Sequence, residues 1–272
     1  MKHFIVTRFN LKVEDWKTAK DGSIVLTDKW LEERFKLFQK YCLPSVINQK
    51  NQNFYWLVFF DIETPVAYKK MIDRIAGEYK KFVPLYIDSN NSLQPSFKKY
   101  ILEHIKDDDL YIITSRLDND DAIHENFVDI IQKIAIQKKD TVIDIRMGYQ
   151  MDISDNSCKY RRLYNSFNPF ISLVENTKNF NTIISRKHQD WKNSDSILVY
   201  DKDPLWIEII HKKNKLNSVR SNIPLIKEIK LKEFGIARDE KKLGSFFIFK
   251  NNFYVVLRKI KNVFQQRKIK FK

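Results

Sequence analysis

The chain has 272 residues, a formal net charge of +15 and only two cysteines. This length suits one large α/β domain or a domain with an appendage. Cys42 and Cys158 show no Cys-x-x-Cys spacing, which excludes a disulfide framework or thiolate metal site and fits a reducing cytoplasm. Because the apolar start is short and no run approaches roughly 18 apolar residues, we expect neither a signal peptide nor a membrane span, but a soluble or peripheral protein.

Short apolar segments alternate with segments of helical periodicity. Predicted strands lie at residues 3–9, 54–60, 82–87, 110–114, 141–147, 160–164 and 197–200. Predicted helices lie at residues 30–47, with a kink or restart at Pro44, and at 65–79, 96–105 and 125–137. Residues 11–28 are predicted to be a loop, 170–174 are uncertain, and 205–211 fit either a strand or a helix. This alternation predicts an α/β fold with a mostly parallel sheet flanked by helices, whose ligands bind at the carboxyl ends of the strands.

Three carboxylates, Asp118, Asp120 and Asp121, directly follow the predicted strand at 110–114. In an extended backbone Asp118 and Asp120 share one side, while Asp121 can turn away. Two carboxylates that lie so near each other repel. A hard divalent cation with open positions for phosphate oxygens would relieve that repulsion. The alternative is a polar turn that caps the next helix. The chain has only five glycines and no phosphate-binding glycine loop.

An α/β sheet without a glycine loop, and with Asp-x-Asp at a strand end, resembles the nucleotide-sugar glycosyltransferases of the GT-A (Rossmann-like) fold. In that fold the motif holds a divalent metal against the diphosphate of the donor. More narrowly, the chain resembles the bacterial family of putative rhamnosyltransferases. The matching segments are residues 6–10, 37–38, 42–46, 49, 56–61 and 116–122, with Trp206, His211 and Asn214.

The resemblance implies roles for the acidic residues. Asp118 and Asp120 would serve the metal, the ribose and the diphosphate, with Asp120 the better candidate for direct ligation. Asp121 would reach the sugar as a catalytic residue or cap the next helix. The residues implied to bind the nucleotide are Thr7, Arg8, Asp61, Arg116, Asp118 and Asn214.

Metal sites in this fold often take a further ligand from a late histidine, and the chain offers His188 and His211. We favour His211, because Asn214 follows it at i+3 and a helix or turn would present both to one side. An imidazole ligand favours Mn²⁺ over Mg²⁺.

An inverting transfer needs a carboxylate that deprotonates the acceptor hydroxyl. Glu175 is preferred for this role because it follows an apolar segment that would raise its pKa on burial. Asp152 and Asp190 are the alternatives, and a retaining transfer would need no such base.

The positive charge is concentrated at the carboxyl end. Residues 1–210 carry 31 Lys and Arg against 30 Asp and Glu, and residues 211–272 carry 18 against 4. We therefore divide the chain into a transferase domain, 1–244, and a basic amphipathic segment, 245–272. In that segment apolar residues recur at helical spacing, which predicts a helix lying on an anionic membrane surface. The alternatives are a helix packed on the domain and a nucleic-acid contact.

These observations predict a metal-dependent glycosyltransferase that moves a hexose or deoxyhexose from a UDP-, GDP- or dTDP-sugar to a saccharide acceptor. The acceptor would be a lipid-linked saccharide in surface-glycan (capsule or lipopolysaccharide) synthesis, with the enzyme cytoplasmic and peripheral on the inner membrane face. No nucleic-acid partner is expected. The rival hypotheses are a nucleic-acid-binding protein or metal nuclease, and a non-catalytic membrane adaptor.

Overall fold

The computed structural model describes residues 1–12, 27–136, 138–155, 157–214, 217–237 and 243–270, with side chains described up to Lys261. The strands are β1 (Lys2–Arg8), β2 (Tyr55–Asp61), β3 (Phe82–Ile87), β4 (Tyr111–Arg116), β5 (Ala122–Ile123), β6 (Thr141–Ile145), β7 (Met147–Asp152), β8 (Lys159–Tyr164), β9 (Ser172–Asn176), β10 (Ile197–Tyr200) and β11 (Trp206–Ile210). The helices are α1 (Asp28–Leu37), α2 (Leu43–Ile47), α3 (Val66–Glu78), α4 (Leu93–His104), α5 (Phe127–Ala135) and α6 (Ser245–Lys270). Most of the predicted loop at 11–28 lies outside the described residues.

The main sheet has seven strands in the order β10-β6-β9-β4-β1-β2-β3. Its neighbours pair in parallel except for β9, which is antiparallel to both β4 and β6. The predicted α/β class with a mostly parallel sheet is confirmed. The uncertain run at 170–174 leads into the antiparallel strand β9.

Both faces of the sheet are covered, which explains why β2 reads as an almost continuous apolar run. Along β2 the side chains alternate between two cores. Trp56 and Val58 pack in the core that includes residues of α1, α3 and α5, and Leu57 and Phe59 pack in the core that includes residues of α4. The parallel strands of the sheet are therefore packed on both faces, and their carboxyl ends lie at one edge.

A smaller four-stranded sheet has the order β5-β11-β7-β8. Residues 205–211, which fitted either a strand or a helix, contain strand β11. This strand pairs antiparallel with β5 and parallel with β7. Strand β5 follows the acidic stretch directly and pairs with β11. The residues that follow β11 in the chain therefore lie near the acidic stretch.

The helix predicted at 30–47 is continuous but not uniform. Thr27 caps α1, with its Oγ1 accepting a hydrogen bond from the Trp30 N–H at 3.2 Å. A π-helical turn, Phe38–Cys42, then leads into α2, whose first turn contains Pro44. The predicted irregularity near Pro44 is confirmed. Among the described helices, none has the length and apolar character needed to cross a membrane.

Candidate active site

The acidic stretch leaves the carboxyl end of β4, beside β1 in the middle of the main sheet. The Leu117 N–H donates to the Val6 carbonyl at 3.0 Å, which extends the β4–β1 pairing to the start of the stretch. The carboxylates therefore lie at the edge where ligands of α/β sheets bind.

Asn119 ties this loop to two other elements. Its Nδ2 donates to the carbonyls of Arg8 and Phe9, both at 2.9 Å, and its Oδ1 accepts from Arg34 Nη1 at 3.1 Å. The amide thus links the loop to the end of β1 and to helix α1. The flanking carboxylates are held in a fixed position as a result.

Asp120 is the centre of the polar network. Its Oδ2 lies 2.6 Å from Arg34 Nη1, 2.9 Å from His211 Nε2 and 3.4 Å from Asn214 Nδ2. Burial alone would raise the pKa of Asp120, but the charge of Arg34 and the hydrogen bond and charge of His211 outweigh it, so the pKa is lowered. The carboxylate is therefore held ionised although it is only 8% exposed.

The structure brings His211 and Asn214 to the site on one turn, as their spacing indicated. The His211 N–H donates to Asn214 Oδ1, and the Asn214 N–H donates to the His211 carbonyl at 3.1 Å. Asp120 lies beside His211 and not beside His188. The ring of His188 instead donates from Nδ1 to the Phe167 carbonyl.

Arginines surround the second carboxylate, Asp118. Arg116 Nη2 donates to both carboxylate oxygens of Asp118, at 3.0 and 3.1 Å. The pKa of Arg8 is lowered, chiefly by burial and also by the charges of Arg116 and Arg34, while Asp118 opposes this shift. Arg116 and Arg34 thus both lie within electrostatic reach of Arg8 at this edge.

Asp121 does not fit either predicted role. It is 1% exposed, and its Oδ1 accepts the Ile209 N–H of β11 at 2.9 Å, while its Oδ2 has no hydrogen-bond partner among the described residues. Burial and the charges of Asp120 and Asp118 raise the pKa of Asp121 well above its usual value. Since helix α5 has Asn126 at its N-cap, Asp121 is not a cap. Its burial keeps it from a sugar, so it is an internal link between the acidic loop and β11.

Two predicted nucleotide contacts have different outcomes. Thr7 is fully buried, and its Oγ1 accepts the Trp56 Nε1–H at 2.9 Å. Its side chain therefore lies in the core beneath the sheet and cannot contact a nucleotide. Asp61, at the end of β2, accepts the Glu63 N–H through Oδ1 at 2.8 Å, and its buried Oδ2 has no hydrogen-bond partner in the part of the chain that the structure describes. Asp61 remains a candidate for binding the base.

The structure does not bring Glu175 to the site. Glu175 pairs with Ile112 near the amino end of β4, whereas the acidic stretch follows the carboxyl end of that strand. Its two carboxylate oxygens accept the N–H groups of Asn181 and Thr182, each at 2.8 Å. Burial raises the pKa of Glu175, as predicted, but the carboxylate stabilises a turn. Of the alternatives, Asp152 accepts hydrogen bonds from its neighbour Ser154, and Asp190 is exposed in a short 3₁₀ helix.

Replacing Glu175 with Gln tests this correction. Gln offers one acceptor oxygen in place of two, so one of the two N–H donors loses its partner and faces an NH₂ group. We expect the free energy of unfolding to fall by about 1–3 kcal/mol, and the transfer rate of the folded enzyme to stay unchanged. Urea unfolding and initial rates measure the two effects. A rate loss of ~100-fold or more in folded protein would restore Glu175 as the base.

Arg34 and Asn119 are the site residues that sequence reasoning missed. Arg34 also lies over the Trp30 ring, with 5.0 Å from its Cζ to the ring centroid, which holds the side chain in place. A further carboxylate nearby is that of Glu208, which accepts from Gln150 Nε2 at 2.8 Å. Burial raises the pKa of Glu208, and the charges of Asp120 and Asp118 add to the shift.

The Arg34–Asp120 pair gives a measurable coupling. The two side chains are 11% and 12% exposed, so the Arg34→Gln variant leaves Asp120 with less compensation for its buried charge. Because His211 and Asn214 still contact Asp120, we expect a loss of about 2 kcal/mol in the free energy of unfolding, below the usual cost of breaking a buried pair. Denaturant unfolding of Arg34→Gln, Asp120→Asn and the double variant should show a coupling energy above ~1 kcal/mol. Additive losses would show that the contact contributes nothing to stability.

The metal that the fold implies fits this site only in a limited way. Among the described residues, no group of three or more His, Cys, Asp and Glu side chains could hold a metal ion. Asp120 Oδ2 and His211 Nε2, 2.9 Å apart, are close enough to bind one cation together. Mg²⁺ in particular is commonly held by one or two carboxylates with substrate phosphates at other positions. In the structure His211 Nδ1 accepts the Lys213 N–H, so Nε2 carries the proton that bonds Asp120. The described residues therefore offer a cation two ligands only when Nε2 gives up this proton and the cation replaces the hydrogen bond, with Arg34 adjacent.

The described main sheet is mostly parallel and flanked by helices, and Asp118 and Asp120 follow its central strand β4. This is the arrangement that the resemblance to the GT-A glycosyltransferases predicts. The chain belongs to the family described as "Putative rhamnosyl transferase", whose model matches residues 2–222. The resemblance inferred from the sequence is confirmed, and α6 lies beyond the matched region.

Several crystal structures are similar in fold. The chain is 11% identical to S. aureus TarS 1-349, with a TM-score of 0.44, covering 77% of this chain and 60% of that one. For the same protein in complex with UDP-GlcNAc the TM-score is 0.44, at 11% identity, over 82% of this chain and 63% of that one. For a putative nucleotide-diphospho-sugar transferase from Desulfovibrio desulfuricans G20 it is 0.40, at 8% identity, over 95% and 98%. No curated protein sequence matches the chain.

Proposed function

We propose that the protein is a metal-dependent glycosyltransferase that moves a hexose or deoxyhexose from a nucleotide sugar to a saccharide acceptor. The observation that supports this most directly is the convergence of Arg34, His211 and Asn214 on the ionised Asp120 at the carboxyl edge of the sheet. A buried carboxylate with three nitrogen donors on one oxygen is a pre-organised polar site in a family of transferases.

The donor would lie along this edge with its diphosphate towards the arginines. Arg8 and Arg116 supply guanidinium groups suited to phosphate oxygens, and Asp118 orients Arg116. Asp61 at the end of β2 would accept a hydrogen bond from the base after a side-chain movement that exposes its buried Oδ2. In this proposal the ends of three neighbouring strands, β1, β2 and β4, each contribute contacts to the same nucleotide.

Asp120 and His211 would hold the cation, Mn²⁺ or Mg²⁺, with Asn214 fixing the turn that carries His211. Bound there, the cation would supply Lewis-acid stabilisation of the departing diphosphate. Arg34 on helix α1 donates a hydrogen bond to Asp120, so the carboxylate keeps its orientation before the donor binds.

The acceptor in this proposal is a saccharide carried on a lipid, within the synthesis of a bacterial surface glycan. The protein would then act in the cytoplasm at the inner membrane face.

A thermal-shift screen of UDP-, GDP- and dTDP-sugars, with and without Mn²⁺, tests the proposal. A ligand at about 100 times its Kd stabilises the native state by about 2.7 kcal/mol, which for a protein of this size corresponds to a rise in Tm of about 5–10 °C. We expect one nucleotide class to give such a shift, with Mn²⁺ increasing it, in wild type and in the control Glu175→Gln. The Asp120→Asn variant should lose the Mn²⁺-dependent part. If no nucleotide sugar shifts the Tm and the protein instead shows salt-dependent DNA affinity, the rival hypothesis of a nucleic-acid-binding protein or metal nuclease replaces this one.

A further inference from the structure

Helix α6 exposes an apolar stripe. Phe246, Phe249, Phe253, Leu257 and Ile260 recur every three or four residues and therefore lie on one face of the helix. Their exposed fractions are 78, 68, 53, 44 and 46%, respectively. A row of large apolar side chains this exposed is unusual on a protein surface and indicates a contact with something apolar.

The same helix is attached to the domain by a different face. Asn252 Oδ1 accepts the Leu225 N–H at 2.7 Å, and Asn252 Nδ2 donates to the Leu225 carbonyl at 2.9 Å. Val255, three residues further along the helix, is only 3% exposed. At about 100° per residue, Val255 points to the side opposite Phe253. The attachment through Asn252 and Val255 thus directs the apolar stripe away from the domain.

The charges around the stripe have one sign. Residues 241–272 contain ten Lys and Arg and no Asp or Glu. On the part of α6 with described side chains, the basic residues are Lys250, Arg258, Lys259 and Lys261. Lys250 and Lys261 border the apolar stripe at helical spacing. The charge fits an anionic surface with an apolar interior.

We propose that α6 binds the surface of an anionic lipid bilayer, with the apolar stripe inserted between the lipid headgroups and the axis of the helix parallel to the membrane. A second copy of this chain is the weaker fit, because pairing two such helices would bring like charges together without an acidic partner. A nucleic acid is also a weaker fit, because Arg258 and Lys259 stand apart from the stripe aromatics. The inference does not depend on the transferase proposal.

The test is co-sedimentation of the full chain with vesicles of phosphatidylcholine alone or mixed with phosphatidylglycerol. We expect binding to the mixed vesicles that weakens as salt is added, because exposed charges are screened. The Phe249→Ser/Phe253→Ser double variant should bind the mixed vesicles at least ~10-fold more weakly. The control Leu102→Ser removes an apolar side chain of α4 that is 57% exposed, and it should bind like wild type.

Each of the other outcomes overturns the proposal. Equal binding to both vesicle types would remove the role of anionic lipid, and unchanged binding of the double variant would remove the role of the stripe. Light scattering of the chain without lipid is the companion measurement. A wild-type dimer that becomes a monomer in the double variant would show that a second copy covers the stripe. Unfolding curves should coincide for wild type and double variant, since both replaced side chains are exposed.

Discussion

Replacing Asp120 with Asn should reduce the rate of sugar transfer by about 100-fold to 1000-fold, the range seen when one group that stabilises transition-state charge is removed. Asn keeps the shape and one acceptor oxygen of the side chain. It removes the negative charge that pairs with Arg34 and His211 and that would bind the cation. Initial rates at saturating donor, on protein shown to be folded by its unfolding curve, measure the effect.

A matched control is Asp129→Asn. Asp129 lies on α5 and pairs with Lys133 at 2.7 Å, so the same chemical change is made at a helix surface away from Asp120. Its transfer rate should equal that of wild type. If Asp120→Asn folds and retains a rate within a few-fold of wild type, Asp120 has only a structural role and the site must be reassigned.

Replacing Gly148 with Ala should produce the largest loss of stability among these variants. A Cβ atom at this position on β7 would lie 2.1–2.4 Å from three ring carbons of Trp206 on β11. That ring cannot move aside easily, because its Nε1–H donates to the Ile145 carbonyl at 2.9 Å and it stacks on Phe170 at 4.9 Å between centroids. We expect the free energy of unfolding to fall by about 3 kcal/mol or more, with Tm lowered by about 6–12 °C.

Gly77→Ala is the control for this change. Gly77 lies within helix α3, and an added Cβ there meets nothing within 4 Å. Ala is favoured over Gly inside a helix, so this variant should gain about 0.5–1 kcal/mol. Thermal or urea unfolding compares the two variants directly. A Gly148→Ala protein as stable as wild type would mean that the two strands separate more easily than their contacts suggest.

Much of the fold could be predicted because its strands are covered on both faces. The run in β2 is almost wholly apolar for that reason, and a helix closely follows each of β2, β3 and β5. The direction of β9 could not be predicted. An apolar run of five residues looks the same in either direction, and only its pairing with β4 and β6 makes it antiparallel.

The residues of the candidate site could likewise be predicted only in part. Asp120 could be anticipated because it follows a central strand of the parallel sheet, whose carboxyl edge binds ligands. His211 could be anticipated because the resemblance implies a late histidine ligand and Asn214 follows it at i+3. Arg34 was missed because it lies in a helix rich in Lys and Glu, where an arginine ordinarily faces solvent. Thr7 and Asp121 were misassigned because no local pattern shows whether a strand-end side chain points into the sheet or out of it.

Asn119 also has a consequence for the order in which the molecule assembles. Its amide joins a loop after β4 to carbonyls more than a hundred residues earlier and to helix α1. The acidic loop can therefore adopt its final shape only after β1 and β4 have paired and α1 has packed beside them. In native-state hydrogen exchange, the amides of this loop should become protected together with those of β1, as one cooperative unit. The donor site would then be among the last features to form and would open whenever that unit opens.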